Sequence, residues 1–317
     1  MKAVVLDGYT LVAEDLNWDD LAKLCDLTTY DSSSPSQAIE RAKDAEIILT
    51  NKVVLGKEQF DALKACKYVG VLATGYNVVD VEDARKRGIV VTNIPSYSAD
   101  SVAQLVFAFI LNFSFRVQEH NVEVHEGKWC TSQHFCYHSF PLQEIKSKVL
   151  GIAGFGDIGS KVAKLGQAFG MDVIFYNRSK KDSTTCGKAR QVEKDELLKC
   201  SDFLSLCLPL NDGTANFINE DALAMMKNTA CLINTGRGGL VEEEAVAKAL
   251  NTRRIAGYAT DVLSAEPAKQ SNPLLASPAV ITPHIAWQTR EARERLMHIA
   301  VANVHAFLDG KPINMVS

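Results

Sequence analysis

Three side chains in the second half of the chain could together hold a small acid and transfer a proton to it. Arg237 is flanked by Gly236 and Gly238, so its guanidinium should be accessible and could hold a carboxylate through two parallel hydrogen bonds. His284 can exchange a proton near neutral pH, and a buried Glu266 beside it would orient the ring and favour the imidazolium form. Each residue alone also has an ordinary structural explanation: a surface Arg, a Glu before a turn proline, and a hydrogen-bonded His. The chemical interpretation therefore depends on what accompanies them.

A glycine-rich run supplies that context. Gly154-Phe155-Gly156-Asp157-Ile158-Gly159 follows an apolar strand pattern, Val149–Ala153, and opens a helical pattern, Ser160–Phe169. The first glycine permits a tight turn, the second lets the backbone approach a pyrophosphate, and the third lets the helix pack near the strand. The alternative is a glycine-rich turn in an ordinary strand–helix–strand unit, but the flanking strand and helix favour dinucleotide binding.

The end of the next strand indicates which dinucleotide is preferred. An acidic residue that binds the ribose hydroxyls is expected about 20 residues after the glycines, and Asn177 occupies that place, 18 residues beyond Gly159. The cationic residues Arg178, Lys180 and Lys181 follow it and could pair with a 2′-phosphate. This favours NADP(H) over NAD(H). NAD(H) stays open, because Asn can bond a hydroxyl and the basic residues could form a solvated turn.

Composition excludes several other classes of protein. The 317 residues suggest about two domains, and 47% apolar with 23% charged residues is a globular composition. A net charge of −4 gives no bulk reason to bind nucleic acid or anionic lipid. Asp7 comes too early for a signal peptide, and the most apolar stretch, Val102 to Phe113, is too short to span a bilayer. Eight cysteines without a Cys-x-x-Cys pair predict reduced thiols in the cytoplasm.

One cluster of metal-ligand types interrupts this pattern. Cys130, His134, Cys136 and His138 lie within nine residues, which does not match the paired spacing of structural zinc sites. The aromatic residues among them are Trp129, Phe135, Tyr137 and Phe140. We predict no metal site and interpret the segment as an aromatic contact loop.

Short apolar runs alternate with amphipathic stretches, which is the pattern of parallel sheets covered by helices on both faces. The first series predicts strands at Lys2–Asp7, Ile47–Thr50, Tyr68–Ala73 and Ile89–Asn93, and helices at Asp19–Leu24, Lys57–Leu63 and Val81–Arg87. The second predicts strands near Val149–Ala153, Asp172–Tyr176, Phe203–Leu206, Ala230–Asn234, Ala256–Thr260 and Ala279–Ile281. A long helix from about Ala99 to Glu126 and another from Thr289 to Leu308 complete the prediction.

These elements predict an α/β protein with two doubly wound parallel-sheet lobes. Because the glycine-rich run lies in the middle of the chain, the C-terminal helix can return to the first lobe. We expect one lobe made from residues 1–98 and 289–317, and a dinucleotide-binding lobe at residues 99–288. Arg237, Glu266 and His284 each follow a predicted strand, where ligands bind in open α/β sheets.

Together the motifs resemble those of the D-2-hydroxyacid dehydrogenase family over nearly the whole chain. The matching segments are the Gly154–Gly159 run, Asn234-Thr235-Gly236-Arg237-Gly238, Asp261 with Glu266-Pro267, and Pro283-His284-Ile285-Ala286. The resemblance implies a Rossmann cofactor domain inserted into a discontinuous flavodoxin-like substrate domain. It also implies that Arg237 binds the substrate carboxylate and carbonyl, that His284 is the acid/base, and that Glu266 is its partner.

The resemblance extends to the remaining binding positions. Thr74 and Gly75 look like the family's loop for the substrate carboxylate, which Arg237 and His284 complete. The positions implied to contact the cofactor are Gly154, Phe155, Gly156, Asp157, Ile158, Gly159, Asn177, Arg178, Ser179, Cys207, Leu208, Pro209, Thr235, Gly236, Asp261 and Ala286. The long helix and the Trp129–Phe140 segment look like the family's dimer contact, so a homodimer is expected.

Two segments, Tyr97–Gln104 and His284–Trp287, look most like the glycerate dehydrogenase (hydroxypyruvate reductase) branch. Val102 stands where Thr is often found in the family. Val71 stands where phosphoglycerate dehydrogenases carry Arg, which disfavours phosphoglycerate as the substrate. The expected reaction is NAD(P)H-dependent reduction of a small 2-keto acid, hydroxypyruvate or glyoxylate, to the D-2-hydroxy acid. The alternatives are a dehydrogenase for another small acid such as D-lactate or formate, and a non-catalytic, dinucleotide-sensing interaction protein like the corepressors that share the fold.

Overall fold

The computed structural model describes residues 1–13, 15–181 and 187–316. The chain divides into two compact units. Unit 1 consists of Met1–Ser98 and Trp287–Ser317, and unit 2 is Ala99–Ala286. The second division thus falls two residues before the position expected from the sequence.

The secondary structure alternates between strands and helices throughout both units. The strands are β1 (Lys2–Val5), β2 (Asp26–Thr29), β3 (Ile47–Thr50), β4 (Tyr68–Val71), β5 (Val90–Thr92), β6 (Val149–Ala153), β7 (Asp172–Tyr176), β8 (Arg190–Gln191), β9 (Phe203–Leu206), β10 (Cys231–Asn234), β11 (Gly257–Thr260) and β12 (Val280–Ile281). The helices are α1 (Tyr9–Val12), α2 (Asp19–Ala22), α3 (Pro35–Ala42), α4 (Lys57–Ala62), α5 (Val81–Lys86), α6 (Ala99–Phe115), α7 (Val117–His125), α8 (Asp157–Ala168), α9 (Lys194–Cys200), α10 (Glu220–Met225), α11 (Glu243–Asn251) and α12 (Arg290–Leu308).

Unit 1 is built on a parallel sheet with the strand order β2-β1-β3-β4-β5, which is the flavodoxin-like doubly wound order. Strands β3 and β4 are buried along their whole length, as expected for parallel strands covered on both faces. The C-terminal helix α12 begins at Thr289, whose hydroxyl accepts a hydrogen bond from the Ala292 N–H and so caps the helix. Its buried stripe, Ala292, Leu296, Ala300 and Val304, recurs every four residues and packs with the β1 core of the same unit.

Unit 2 contains a parallel sheet with the order β12-β11-β10-β9-β6-β7-β8. Numbered within the unit this is 7-6-5-4-1-2-3, which is the Rossmann order 3-2-1-4-5-6 with one further strand. The predicted fold class is therefore confirmed for both units. In this sheet the order reverses between β6 and β9, and ligands of such folds bind at the carboxyl ends of the strands near that reversal.

The helix predicted over 99–126 is wrong in one respect, because the structure has two helices. They meet at Arg116, whose left-handed backbone (φ 50°, ψ 44°) bends the pair by 55°. The first helix, α6, buries Val106, Ile110 and Phe113 in the core of unit 2, whereas α7 buries none of its residues. In the described part of the chain no single helix is long and apolar enough to cross a membrane. Among the described helices, α6 and α7 reach that length and apolar composition when the two parts of this bent pair are taken together.

The Cys/His-rich segment after α7 is an exposed loop, in which the Trp129 Nε1–H donates to the Phe135 carbonyl at 3.0 Å. Over residues 1–13, 15–181 and 187–316, no three His, Cys, Asp or Glu side chains are grouped so that they could hold a metal ion.

Candidate active site

The glycine-rich run forms the turn between β6 and α8, and its three glycines serve different purposes. Gly154 has φ +97°, and a Cβ on it would lie 2.7 Å from the Cys207 carbonyl oxygen. A Cβ on Gly159 would overlap the Gly154 carbonyl oxygen. The fold itself therefore requires glycine at both positions.

Gly156 differs from the other two. It is the residue before the first turn of α8, its backbone is extended (φ −98°, ψ −155°), and a Cβ would meet no heavy atom within 4 Å. No contact with the described residues requires glycine here. The open space lies in front of the first turn of a 12-residue helix, where backbone N–H groups have no partner within the helix itself. Such a position suits a phosphate. These residues fit the pyrophosphate of a dinucleotide.

Asn177 joins the turn after β7 to this glycine loop. Its Oδ1 accepts a hydrogen bond from the Phe155 N–H at 3.3 Å, and its Nδ2 donates to the Ser179 carbonyl at 2.9 Å and hydroxyl at 3.0 Å. Arg178 and Lys180 are exposed and form no ion pair with any described residue. The turn thus presents cationic side chains beside a neutral amide.

Cys207, which directly follows β9, packs against the glycine-rich turn at Gly154. Its N–H donates to the Ala153 carbonyl at 2.7 Å, and its carbonyl is the group that Gly154 approaches. Burial raises the pKa of the Cys207 thiol to about 11. The side chain is therefore a neutral, weakly reactive thiol that shapes the turn.

Arg237 follows β10 on a loop that Asn234 holds closed. The fully buried Asn234 accepts from the Gly236 N–H at 3.1 Å and donates to the Arg237 carbonyl at 2.9 Å. The Arg237 side chain is exposed, with one Nη1 bond to the Gly236 carbonyl at 2.7 Å. Asn234 was part of the sequence motif but was not predicted as a site residue. The sequence feature that could have identified Asn234 is a polar side chain at the end of an otherwise apolar strand.

Asp261 directly follows β11, is 1% exposed, and organises the segment that carries His284. Its Oδ1 accepts from the Thr282 hydroxyl at 2.6 Å and the Ile285 N–H at 2.8 Å, and its Oδ2 accepts from the Ala286 N–H at 2.8 Å. These bonds fix the chain on both sides of His284. The sequence assigned Asp261 to cofactor binding. In the structure its carboxylate binds the protein's own chain.

His284 and Glu266 form a short pair, with 2.6 Å between Nδ1 and Oε2. The other carboxylate oxygen, Oε1, accepts from the Leu263 N–H at 3.0 Å. Because a carboxylate only accepts hydrogen bonds, Nδ1 carries the proton, and Nε2 is left to exchange a proton with a ligand. The expectation of a buried Glu266 is wrong: its side chain is 37% exposed, because the chain from Glu266 to Gln270 runs along the surface.

Thr74 and Gly75 lie in unit 1, on the loop after β4. The Thr74 hydroxyl donates to the Ile94 carbonyl at 2.8 Å, and the Asn93 side chain donates to the Thr74 carbonyl at 2.8 Å. Both bonds attach the loop to the segment that follows β5, so its backbone is held in place while Thr74 itself is exposed.

Within unit 2, Arg237, Glu266 and His284 follow the neighbouring strands β10, β11 and β12 on the carboxyl side of the sheet that also carries the glycine loop. An oriented His–carboxylate pair, an Arg and a dinucleotide turn define a nicotinamide-dependent oxidoreductase. Comparison with known proteins gives the family. Residues 107–286 match the sequence model described as "D-isomer specific 2-hydroxyacid dehydrogenase, NAD binding domain".

Whole-chain relatives agree with this assignment. The chain is 43% identical over 321 residues to a hydroxypyruvate reductase of Blautia hydrogenotrophica, with 100% of both sequences covered. It is 36% identical to a glycerate dehydrogenase of Methylorubrum extorquens over 90% of each. A solved acyclic imino acid reductase in complex with NADPH and D-Arg superimposes with a TM-score of 0.88 at 31% identity, over 100% of both chains. The protein belongs to the D-2-hydroxyacid dehydrogenase family.

Proposed function

We propose that this protein reduces hydroxypyruvate, and glyoxylate less efficiently, to the D-2-hydroxy acid with NADPH. The observation that carries the proposal is the 2.6 Å His284–Glu266 pair on the strand end next to the Arg237 loop. The relatives named as hydroxypyruvate reductase and glycerate dehydrogenase support the choice of substrate.

Each residue has a defined part in this reaction. The Arg237 guanidinium binds the substrate carboxylate and stabilises negative charge on the carbonyl oxygen. Thr74 and Gly75 in unit 1 are the other substrate-binding residues that we propose. His284 donates its Nε2 proton to that oxygen, while Glu266 holds the ring through Nδ1. When bound, the reduced nicotinamide supplies the hydride to the carbonyl carbon.

The cofactor residues follow from the same proposal. The loop Gly154 to Gly159 holds the pyrophosphate, and Cys207 to Pro209, Thr235, Gly236, Asp261 and Ala286 line the rest of the nucleotide site. Arg178 and Ser179, beside the neutral Asn177, bind the 2′-phosphate of NADPH. Support comes from the exposure of Arg178 and from the absence of an acidic group at position 177.

A steady-state panel tests the reaction. Hydroxypyruvate, glyoxylate and pyruvate are each offered with NADPH and NADH, and cofactor oxidation is followed by absorbance. We expect the highest kcat/KM for hydroxypyruvate with NADPH. If the protein binds NADPH but reduces none of the three acids, the proposed reaction is refuted. The chain would then be interpreted as a dinucleotide-sensing interaction protein.

The role of His284 has a matched control in the same chain. His284→Ala should lower kcat by about 10²–10⁴-fold, the usual value of general acid catalysis. His305 forms another His–carboxylate pair, with Asp309 at 3.1 Å on α12, and His305→Ala should leave kcat unchanged. Equal kcat in the two variants would remove His284 from the mechanism.

Cofactor preference is tested at Asn177. Asn177→Asp keeps an acceptor for the Phe155 N–H but places a negative charge beside a 2′-phosphate, so kcat/KM should shift from NADPH towards NADH. Arg178→Ala should weaken NADPH alone, with the exposed Arg85→Ala of α5 as its control. An unchanged NADPH/NADH ratio in Asn177→Asp would contradict the preference.

We also propose a homodimer and a cytoplasmic location. The segment that contains α7 and the following loop exposes apolar side chains, with Val117 68% and Phe135 89% exposed, which suits a second copy of the chain. Phe135→Asp should produce monomers in sedimentation analysis, whereas Tyr9→Asp, at an aromatic residue that is 68% exposed in unit 1, should not. The cytoplasmic location is supported by the free thiols of the described residues.

A further inference from the structure

Glu243, the first residue of α11, has a buried carboxylate that the proposed reaction does not use. Its neighbours Glu242 and Glu244 are exposed, but Glu243 is 7% exposed. A carboxylate is costly to bury unless its oxygens are hydrogen-bonded. Oε1 accepts from the Ser264 N–H at 2.8 Å, and Oε2 accepts from the Ser264 hydroxyl at 2.6 Å and the Asn272 Nδ2 at 2.9 Å.

An acidic residue in the first turn of a helix often serves only the helix, because it interacts favourably with the unpaired N–H groups there. The hydrogen bonds of Glu243 go elsewhere. All three reach the segment after β11, and two of them hold a single residue, Ser264. The Glu243 carboxylate therefore acts on that segment and not on its own helix.

The dipeptide Leu263–Ser264 contacts both halves of the candidate active site. The Leu263 N–H donates to Glu266 Oε1 at 3.0 Å, and the other oxygen of Glu266 orients His284. On its other side the dipeptide packs against Gly238, where a Cβ would overlap the Leu263 carbonyl and the Ser264 nitrogen. Gly238 is the residue after Arg237. One short segment thus fixes the acid/base pair and the loop of the carboxylate-binding Arg.

We infer that Glu243 is a positioning residue for catalysis: by clamping Ser264, it sets Glu266, and through it His284, relative to Arg237. The inference rests on the proposed function for its kinetic consequences. Its structural content, that Glu243 maintains the Glu266–His284 hydrogen bond, can be measured without any turnover.

Glu243→Gln is the variant that tests this. The Gln side chain has the same shape but only one acceptor oxygen. Asn272 cannot reverse its amide to compensate, since its Oδ1 accepts from the Leu274 N–H at 2.9 Å. The new NH2 group therefore opposes a donor in either orientation: the Asn272 Nδ2 if it takes the place of Oε2, or the Ser264 N–H if it takes the place of Oε1. Glu244→Gln, one residue along the same helix and exposed, is the matched control.

The first measurement is the low-field proton resonance of the His284 Nδ1–H in histidine-labelled protein, assigned by its loss in His284→Ala. We expect it to shift or broaden in Glu243→Gln and to persist in Glu244→Gln. An unchanged resonance in folded Glu243→Gln overturns the inference, whether or not the wild type reduces any keto acid. If Glu243→Gln does not fold, Ser264→Ala, which removes only the hydroxyl bond, takes its place with the same expected shift.

The second measurement is kinetic. Glu243→Gln should lower kcat by about 10–100-fold, as misplaced catalytic groups do, with the Kd for NADPH unchanged. In a Glu266→Gln background the same substitution should have no further effect on kcat, because it acts through Glu266. Fully multiplicative losses, or an equal loss of NADPH binding, would show a general structural role and refute the inference. A wild type without turnover refutes the proposed function alone, and the resonance then decides the role of Glu243.

Discussion

Replacing Gly156 by Ala should separate cofactor binding from folding. Gly156 has an extended backbone that Ala adopts, and its Cβ would meet no protein atom within 4 Å. The cost to the free protein is then that of losing a glycine before a helix, about 1 kcal/mol or less. Gly56 is the matched control, because it precedes α4 in unit 1 with a similar extended backbone (φ −111°, ψ −165°) and no Cβ contact closer than 3.6 Å.

The effect on the cofactor should be much larger. A methyl group at position 156 would lie where a pyrophosphate must come within hydrogen-bonding distance of the backbone. A hydrogen bond to a charged group contributes about 1.5–3 kcal/mol, so losing one or two of them costs about 3 kcal/mol. At 1.4 kcal/mol per factor of ten, that corresponds to about 100-fold in Kd.

The assay is a fluorescence titration with NADPH and NADH, accompanied by urea unfolding of each variant without cofactor. Gly156→Ala and Gly56→Ala should unfold alike, and only Gly156→Ala should bind weakly. Gly159→Ala is expected to behave differently from both: its Cβ overlaps the Gly154 carbonyl, so it should lose about 1–3 kcal/mol of stability. Unimpaired cofactor binding by Gly156→Ala would refute the placement of the pyrophosphate at this turn.

Three further predictions concern Arg237, Cys207 and the Asp15–Arg293 ion pair. Arg237→Ala should raise KM for the keto acid and lower kcat while the Kd for NADPH stays unchanged, and parallel loss of cofactor binding would contradict its assignment. Since the pKa of Cys207 is about 11, iodoacetamide at pH 8 should leave it intact in folded protein while the exposed Cys130 reacts, as peptide mass spectrometry can determine. Arg293 donates to both oxygens of Asp15 at 2.7 Å, and this hydrogen bonding holds the pKa of Asp15 below its usual value. The pair therefore stabilises the fold above the ordinary Asp range and loses its effect as the pH falls through the lowered pKa. Accordingly, the Tm difference between wild type and Asp15→Asn should be full at pH 7 and shrink at pH 3.

Elements with a strong apolar pattern could be predicted from the sequence, and weakly patterned ones could not. Strands β3, β6, β7 and β9 were predicted with their observed bounds, since their apolar runs end abruptly. Strand β2, Asp26–Thr29, was missed because it is an edge strand with three of four residues exposed. Helix α3 was also missed, although Ser34 and Gln37 form a capping box with Pro35 at the first helical position, a signal that could have found it.

The residues of the candidate site also divide into those that the sequence predicts and those that it does not. Residue types and spacing indicated Arg237 and His284, because their chemistry is local. The supporting roles of Asp261 and Glu243 depend on loops that approach from other strands and helices. Their partners at Ile285 and Ser264 lie more than 20 residues away in the chain. No spacing rule connects such positions, so only the folded arrangement reveals them.

The divided make-up of unit 1 also has a consequence for how the protein is made. Helix α12 completes the core that contains Ala3 and Val5, yet a ribosome working at about 5–20 residues per second needs roughly 10–40 s to travel the roughly 200 residues from β5 to the end of α12. During that interval, while unit 2 is being synthesised, one face of the first sheet lacks its cover. Nascent chains are therefore most vulnerable to proteolysis and aggregation in the part that is synthesised first, and limited proteolysis of chains stalled before residue 290 would reveal it.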